Sequence, residues 1–369
     1  MSNNRDAGID LLRILCCILV VAIHVTPLAT GANDVTALLI QSFVRVGLPV
    51  FFIISGMYLL NTKIDSIFNF YKKRVSVLIV PFIVYSLIHF LTLNIQSGDV
   101  APYSLLKSYL LALSSSTGIA GHLWFVYTLL GLYLISPLLS YFISGINSKN
   151  AMSALAFMLF LRGFSQYIRP YTPYIEIPDL AVWLLYFMIG GVLYKLPKMN
   201  PYTTGLIILL SYFSTVFLSY CQLSGVITSN IGVYDTGLNM YVFAIALCIF
   251  FKDIKINVSP AVSKTLSFIS TGTYGAYLIH ILVLTEISRN FNLFWSNGNV
   301  AIYSVLITII VFLISLIFAL VINKLIVNHI LNFILKSSKK QQKHHQHIRG
   351  ANDQKNTSYN YYFLSLILG

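Results

Sequence analysis

Charged residues are scarce in this sequence. Only 9% of its 369 residues are Asp, Glu, Lys or Arg, whereas a soluble domain carries about 25%. Hydrophobic residues account for 57% of the chain, and the mean hydropathy is +0.78. These values exclude a soluble globular domain. They predict an all-α polytopic membrane protein.

Cysteine and acidic residues are scarce as well. No spacing among the four cysteines suggests a metal site or a disulfide framework, and all four fall in apolar segments. Lys and Arg outnumber Asp and Glu by 24 to 11, which gives a net charge of +13. In a soluble protein that charge would suggest nucleic acid. Here it predicts loop charges that set topology and contact membrane lipid, with no nucleic-acid partner.

Long apolar runs, in contrast, are abundant, and ten of them are predicted to cross the membrane. Their approximate ranges are residues 9–28, 43–61, 75–95, 123–144, 151–168, 181–197, 203–224, 234–251, 265–287 and 300–326. No low-complexity linker separates the runs, so residues 1–335 are expected to form one transmembrane domain. Residues 104–113 predict a short amphipathic helix at one membrane surface.

The loops give the expected orientation of these spans. With both termini in the cytoplasm, most of the 24 Lys and Arg residues fall on the inner side, as the positive-inside rule requires. No cleavable signal peptide is expected, because the first run is too long and lacks a small-residue cleavage site. Residues 336–369 are polar and basic and are predicted to form a disordered cytoplasmic tail. Histidines in this tail could chelate a metal, but a solvated tail is the favoured interpretation.

The first span, IDLLRILCCILVVAIHVTPL, carries Asp10, Arg13 and His24. Arg13 and His24 are about three helical turns apart, so their side chains point the same way and lie about 16 Å apart along the axis. Ionisable groups in a bilayer are expensive and usually face a polar cavity. His24 therefore suits a general base, and Arg13 suits a phosphate-bearing ligand. The structural alternatives are a hydrogen-bonded histidine and a topology-setting charge pair between Asp10 and Arg13.

The second span, RVGLPVFFIISGMYLL, is interrupted by Pro49, Ser55 and Gly56. Small residues allow helices to approach closely, and Gly56 is predicted to serve such packing, with the first span as a candidate partner. Ser55 could also line a cavity.

A basic cluster of Lys72, Lys73 and Arg74 leads into the third span. Charge alone favours an anchor to anionic lipid. The functional alternative is a clamp for a cytoplasmic donor that carries phosphate groups.

Two later segments carry histidines beside aromatic residues. His122 and Trp124 are predicted at the outer interface, where aromatic side chains anchor helices. Tyr277 and His280 share one face of the ninth span at a spacing of three residues. His89 in the third span has no evident partner in the sequence and is interpreted as structural.

Taken together, these stretches resemble the membrane acyltransferase 3 family, and in particular its bacterial polysaccharide O-acetyltransferases. The resemblance rests on the D-x-x-R of residues 10–13, the gap to His24, LPVFFIISGMYLL, the basic cluster before Pro81, HLWFVYTLLGLYLISPLL and TYGAYLIH. These motifs occur in family order between residues 9 and 325. The Ser-Thr-Gly-Thr before Tyr274 departs from the family pattern in detail.

The resemblance implies about ten helices and acyl transfer from cytoplasmic acyl-CoA, with acetyl-CoA as co-substrate and no bound cofactor. It implies a glycan or lipid-linked sugar as acceptor and a location in the bacterial inner membrane. Arg13 and His24 would be the essential pair. Arg74 matches the family's basic position, and Tyr277 and His280 match its final motif as positioning residues. From the length of this sequence, the hydrolase-like or racemase domain that some relatives append is not expected.

The physical features alone leave other classes open. Ten helices with buried ionisable residues fit a transporter or flippase for a glycan precursor equally well, whereas a membrane scaffold or sensor would leave His24 replaceable. Within the enzyme class, His24 could act as a general base or could itself carry the acyl group.

Overall fold

The computed structural model describes residues 7–64, 66–97, 102–172, 174, 180–227, 233–254, 256–291 and 300–335. All regular structure in these ranges is helical, which confirms the predicted fold class. The described residues form twelve α-helices: α1 Ala7–Val25, α2 Val35–Val44, α3 Gly47–Leu59, α4 Ile67–Ser97, α5 Pro102–Leu113, α6 Trp124–Ser144, α7 Ser148–Gly163, α8 Val182–Leu193, α9 Pro201–Leu223, α10 Leu238–Asp253, α11 Pro260–Phe291 and α12 Val300–Ile322. The predicted tail, residues 336–369, lies outside the described residues.

Eight helical segments within the described ranges are long and apolar enough to cross a membrane. The sixth and eighth predicted spans instead form α8 and α10, which have 12 and 16 residues. Most side chains of these two helices are buried in the core of the bundle. Their burial accounts for their length, because a helix surrounded by protein need not match the thickness of the lipid.

The second predicted span begins earlier than its hydropathy suggests. Val35–Leu59 is one membrane-length segment, divided into α2 and α3 by a turn at Arg45 and Val46. Pro49 lies one turn beyond Arg45 and has no N–H to donate to the Arg45 carbonyl. The missing hydrogen bond explains why the helix breaks at this point.

Gly56 packs closely, as predicted, but its partner is α8 rather than the first span. A Cβ atom at Gly56 would lie 1.8 Å from the Phe187 carbonyl oxygen, and one at Gly190 would lie 2.1 Å from the Ile53 carbonyl oxygen. The two glycines therefore let the backbones of α3 and α8 touch. Contact with the first span falls to Gly47, where a Cβ would lie 2.9 Å from the Leu19 Cβ.

The helix α1 occupies the centre of the bundle and contacts α3, α10, α11 and α12. The predicted amphipathic helix is present as α5. Its Tyr109 is buried and shares a 2.9 Å hydrogen bond with Ser86 of α4, whereas Leu106 and Leu110 are exposed. One side of α5 therefore packs against α4, and its other side exposes apolar residues.

Candidate functional site

Arg13 and Asp10 form the predicted pair at one end of α1. The Arg13 Nη1 lies 3.4 Å from the Asp10 Oδ1, and the Ser270 hydroxyl of α11 donates to the same oxygen at 2.7 Å. The Arg13 guanidinium also lies over the Tyr58 ring, 5.1 Å from its centroid. Asp10 is buried, with 2% of its surface exposed. These contacts fix the direction of Arg13 without enclosing it.

A cavity of about 340 Å³ opens beside Arg13. Its polar and charged lining comes from Arg13, Ser55, Tyr58, Lys73, Arg74, Tyr133, Ser270, Thr273, Tyr274 and Tyr277, and its apolar lining includes Phe51, Leu78, Phe125 and Leu129. We call Arg13, Lys73 and Arg74 the basic end of this cavity. Ser55 lines the cavity, which is one of the two roles that the sequence suggested for it. Lys72 is not among the lining residues. Arg74 is directed by a 3.4 Å hydrogen bond to the Thr62 hydroxyl.

Four histidines from four parts of the chain meet at the other end of α1. The ring centroids of His24 and His280 are 5.2 Å apart, those of His280 and His122 are 4.9 Å apart, and those of His122 and His89 are 5.5 Å apart. We call these four residues the histidine cluster. His24 is exposed, whereas the other three side chains are buried. The cluster therefore opens to the surface through His24.

Backbone carbonyls of α11 orient the buried histidines. The Leu278 carbonyl lies 2.8 Å from the His89 Nε2 and 3.3 Å from the His122 Nε2, and the Tyr277 carbonyl lies 2.5 Å from the His280 Nδ1. Within the described ranges, the His122 Nδ1 and the His280 Nε2 are buried without a hydrogen-bond partner. His122 and His280 thus each keep one ring nitrogen uncommitted, which suits proton exchange within the cluster.

Tyr277 joins the cavity to the histidine cluster. Its side chain lines the cavity, and its hydroxyl donates a 2.5 Å hydrogen bond to the His122 carbonyl. Its ring centroid lies 5.7 Å from that of His280 and 5.2 Å from that of Phe125. A molecule that filled the cavity from the basic end would therefore reach Tyr277, with the histidines directly behind it.

The sequence misplaced one histidine and missed another. His122 is buried in the cluster, not at the interface, because the turn Gly121–Leu123 carries it inward beneath α6. Trp124, the predicted anchor, is half-buried and packs on Trp183 at 5.2 Å between ring centroids. His89 was interpreted as structural, yet it belongs to the cluster. An imidazole in the middle of an apolar span was itself the signal that could have included it.

The chain was also compared with known proteins. Residues 6–324 match the sequence profile of the acyltransferase domain family. A serine/alanine racemase from Enterococcus gallinarum is 30% identical over 144 residues, which cover 37% of this chain but 20% of that protein. The chain thus aligns with only a fifth of the racemase's length. No solved structure matches.

Proposed function

Because this chain belongs to the acyltransferase 3 family of multi-pass membrane enzymes, we propose that it moves an acetyl group from cytoplasmic acetyl-CoA to a sugar hydroxyl. The acceptor would be a surface polysaccharide or its lipid-linked precursor, and the enzyme would reside in the bacterial inner membrane. The family match does not favour the transporter alternative.

The observation that supports this proposal most directly is that one cavity extends from the basic end to Tyr277. Arg13, Lys73 and Arg74 stand at one end of it, and Tyr277, in contact with the histidine cluster, stands at the other. Guanidinium and ammonium groups bind phosphate through charge-assisted hydrogen bonds. The phosphates of acyl-CoA would therefore dock at the basic end. The acyl thioester would extend along the apolar wall toward Tyr277, and Lys72 would add charge from outside the lining.

His24 would act as the general base in this reaction. It would take the proton of the sugar hydroxyl as that oxygen attacks the thioester carbonyl. A C–O bond would form and the C–S bond would break, and the departing CoA thiolate would recover the proton from the imidazolium. His280, at 5.2 Å between ring centroids, would help orient His24. General-base catalysis is worth about 100- to 10,000-fold in rate.

The acceptor class follows the family resemblance rather than the cavity. The segment from His122 to Phe125 resembles that of the bacterial enzyme that O-acetylates the amino sugar of enterobacterial common antigen. A lipid-linked or polymeric sugar is therefore the proposed acceptor. It would reach His24 from the exposed side of the histidine cluster.

Mass spectrometry of the cell's surface glycans, with and without the gene, tests this function. We expect one acetyl group per repeat to disappear on deletion and to return with the wild-type gene but not with a His24→Gln variant. Glycans that stay identical in all three strains would reject a sugar as the acceptor. Export of unmodified glycan that stops on deletion would instead support a transporter.

A further inference from the structure

Another cationic residue, Arg45, lies at the turn between α2 and α3, near the end of α1 that carries His24. Gln41 links the two regions, because its Nε2 donates to the Thr26 carbonyl at 2.9 Å and its Oε1 accepts from the Arg45 Nε at 3.1 Å. Thr26 follows His24 by two residues, and the Arg45 charge is within electrostatic reach of His24. Arg45 therefore lies at the same end of α1 as the histidine cluster.

The guanidinium of Arg45 is held in place, yet its terminal amino groups are available. Its Cζ lies 5.1 Å from the centroid of the Tyr234 ring, and its Nε is committed to Gln41. In the part of the chain that the structure describes, neither terminal amino group donates a hydrogen bond. A half-buried guanidinium near the membrane interior is unfavourable when its N–H groups have no hydrogen-bond partner. These donors therefore indicate a ligand.

Asp235 is a strained residue that directly follows Tyr234, the ring on which the Arg45 guanidinium packs. Its φ angle is +28°, in the left-handed region that residues other than glycine rarely adopt. Its carboxylate is within electrostatic reach of the Arg45 guanidinium. Burial raises the pKa of this carboxyl, and Arg45 opposes the rise. Strain of this kind persists only where the surroundings enforce it, and it concentrates at functional sites.

The surroundings that enforce it are side chains of two other helices. The Tyr186 hydroxyl of α8 donates to the Asp235 carbonyl at 2.8 Å. The Arg162 Nε and Nη2 of α7 donate to the next carbonyl, that of Thr236, at 3.0 and 2.9 Å. The loop before α10 is therefore pre-organised, and Asp235 is held next to Tyr234, whose ring lies under the Arg45 guanidinium.

We propose that Arg45 and Asp235 form the acceptor-recognition pair of this enzyme and bind two neighbouring hydroxyl groups of an uncharged sugar ring. The Arg45 amino groups would donate to one hydroxyl oxygen, and the Asp235 carboxylate would accept the proton of the next. Tyr234 would keep the guanidinium in plane. A third hydroxyl of the ring would then meet His24.

Charge selects this ligand class over a phosphate or a uronic acid. A single arginine would suit an anion, but the Asp235 carboxylate beside it would repel one. A donor group and an acceptor group side by side match a vicinal diol, in which each hydroxyl both donates and accepts. The pair would therefore distinguish sugars by the positions of their hydroxyl groups, whereas the basic end of the cavity would bind the phosphates of the donor.

This inference rests on the proposed function, so its test separates the two substrates. The purified full chain would be assayed with acetyl-CoA and with the producing cell's own surface glycan, stripped of O-acetyl groups by mild alkali. Asp235→Asn removes the charge, keeps the shape and tolerates the positive φ. We expect it to raise the acceptor KM by about 10- to 100-fold and to leave the acetyl-CoA KM unchanged. Arg45→Lys should act in the same direction.

Asp34→Asn is the matched control. Asp34 lies at the same end of the bundle as Asp235, but it caps α2 by accepting a hydrogen bond from the Ala37 N–H. It should change neither KM. An acceptor KM that is unchanged in Asp235→Asn would overturn this inference alone, and one that falls would show that the site binds an anion. A wild-type chain that transfers no acetyl group to the stripped glycan would overturn the proposed function and this inference with it.

Discussion

At the residue scale, His24 is the histidine that the acceptor can reach. It is exposed, whereas His89, His122 and His280 behind it are buried. We predict that His24→Gln lowers turnover by about 100- to 10,000-fold, because glutamine keeps a hydrogen-bonding group but has no basic nitrogen. Steady-state kinetics of the purified variant measures this loss.

His329→Gln serves as the control for this variant, since His329 is exposed near the end of the described chain and outside the cluster. It should retain wild-type turnover. Full activity of His24→Gln would reject the general-base assignment. Acetylation of His24 after incubation with acetyl-CoA alone would favour the acyl-enzyme mechanism.

Arg74 contributes to the donor side at the same scale. Arg74→Ala should raise the acetyl-CoA KM about tenfold or more, because a charge-assisted phosphate contact contributes about 1.5–3 kcal/mol. Lys149→Ala, at an exposed lysine away from the cavity, should leave that KM unchanged. Equal acetyl-CoA KM values in the two variants would contradict donor binding and would favour the alternative, in which the basic cluster anchors the protein to anionic lipid.

At the element scale, the contact between α3 and α8 has no room for a side chain at Gly56. Gly56→Ala would force a Cβ against the Phe187 carbonyl oxygen, which belongs to a backbone and cannot rotate away. Overpacking of this kind costs about 1–3 kcal/mol. We therefore expect a lower melting temperature in detergent, and also lower activity, because the neighbouring Ser55 lines the cavity.

The control at this scale is Gly205→Ala on α9, where a Cβ would meet nothing within 4 Å. This change should be neutral or slightly stabilising, because alanine favours a helix by up to about 1 kcal/mol over glycine. Equal melting temperatures for the two variants would mean that α3 and α8 are not in backbone contact.

At the scale of the whole molecule, the proposed reaction requires the basic end to face the cytoplasm, where acyl-CoA is found. In otherwise wild-type protein, Lys63→Cys, in the loop leading to the basic cluster, should react only with thiol reagents that enter the cytoplasm. Asn33→Cys should react with impermeant reagents added outside. The four native cysteines are buried, so background labelling should be low. The reversed pattern would exclude cytoplasmic acyl-CoA as the donor at this site.

The whole bundle also separates the two substrates. The cavity from the basic end stops at Tyr277, and the exposed His24 lies on the far side of the histidine cluster. Under the proposed function, only the acyl group would pass this point. That separation would keep water from the bound thioester until an acceptor arrived.

The sequence by itself determined the fold class, most of the spans and the pairing of Asp10 with Arg13. These features are local, because hydropathy over some 20 residues decides whether a helix enters the bilayer, and a spacing of three decides whether two side chains meet. Hydropathy placed the start of the second span too late and so missed most of α2. Its polar Gln41 lowers the local hydropathy, although that side chain is buried and bonded to the Thr26 carbonyl.

Only the tertiary structure decided which distant residues share a site. The histidine cluster draws one residue each from α1, α4, the turn before α6 and α11, and no spacing in the chain relates them. Packing likewise made α8 the partner of Gly56 and brought the Tyr234 ring against Arg45. Helix contacts in a membrane depend on how surfaces fit, not on how apolar they are. The sequence therefore predicts the helices but not their neighbours.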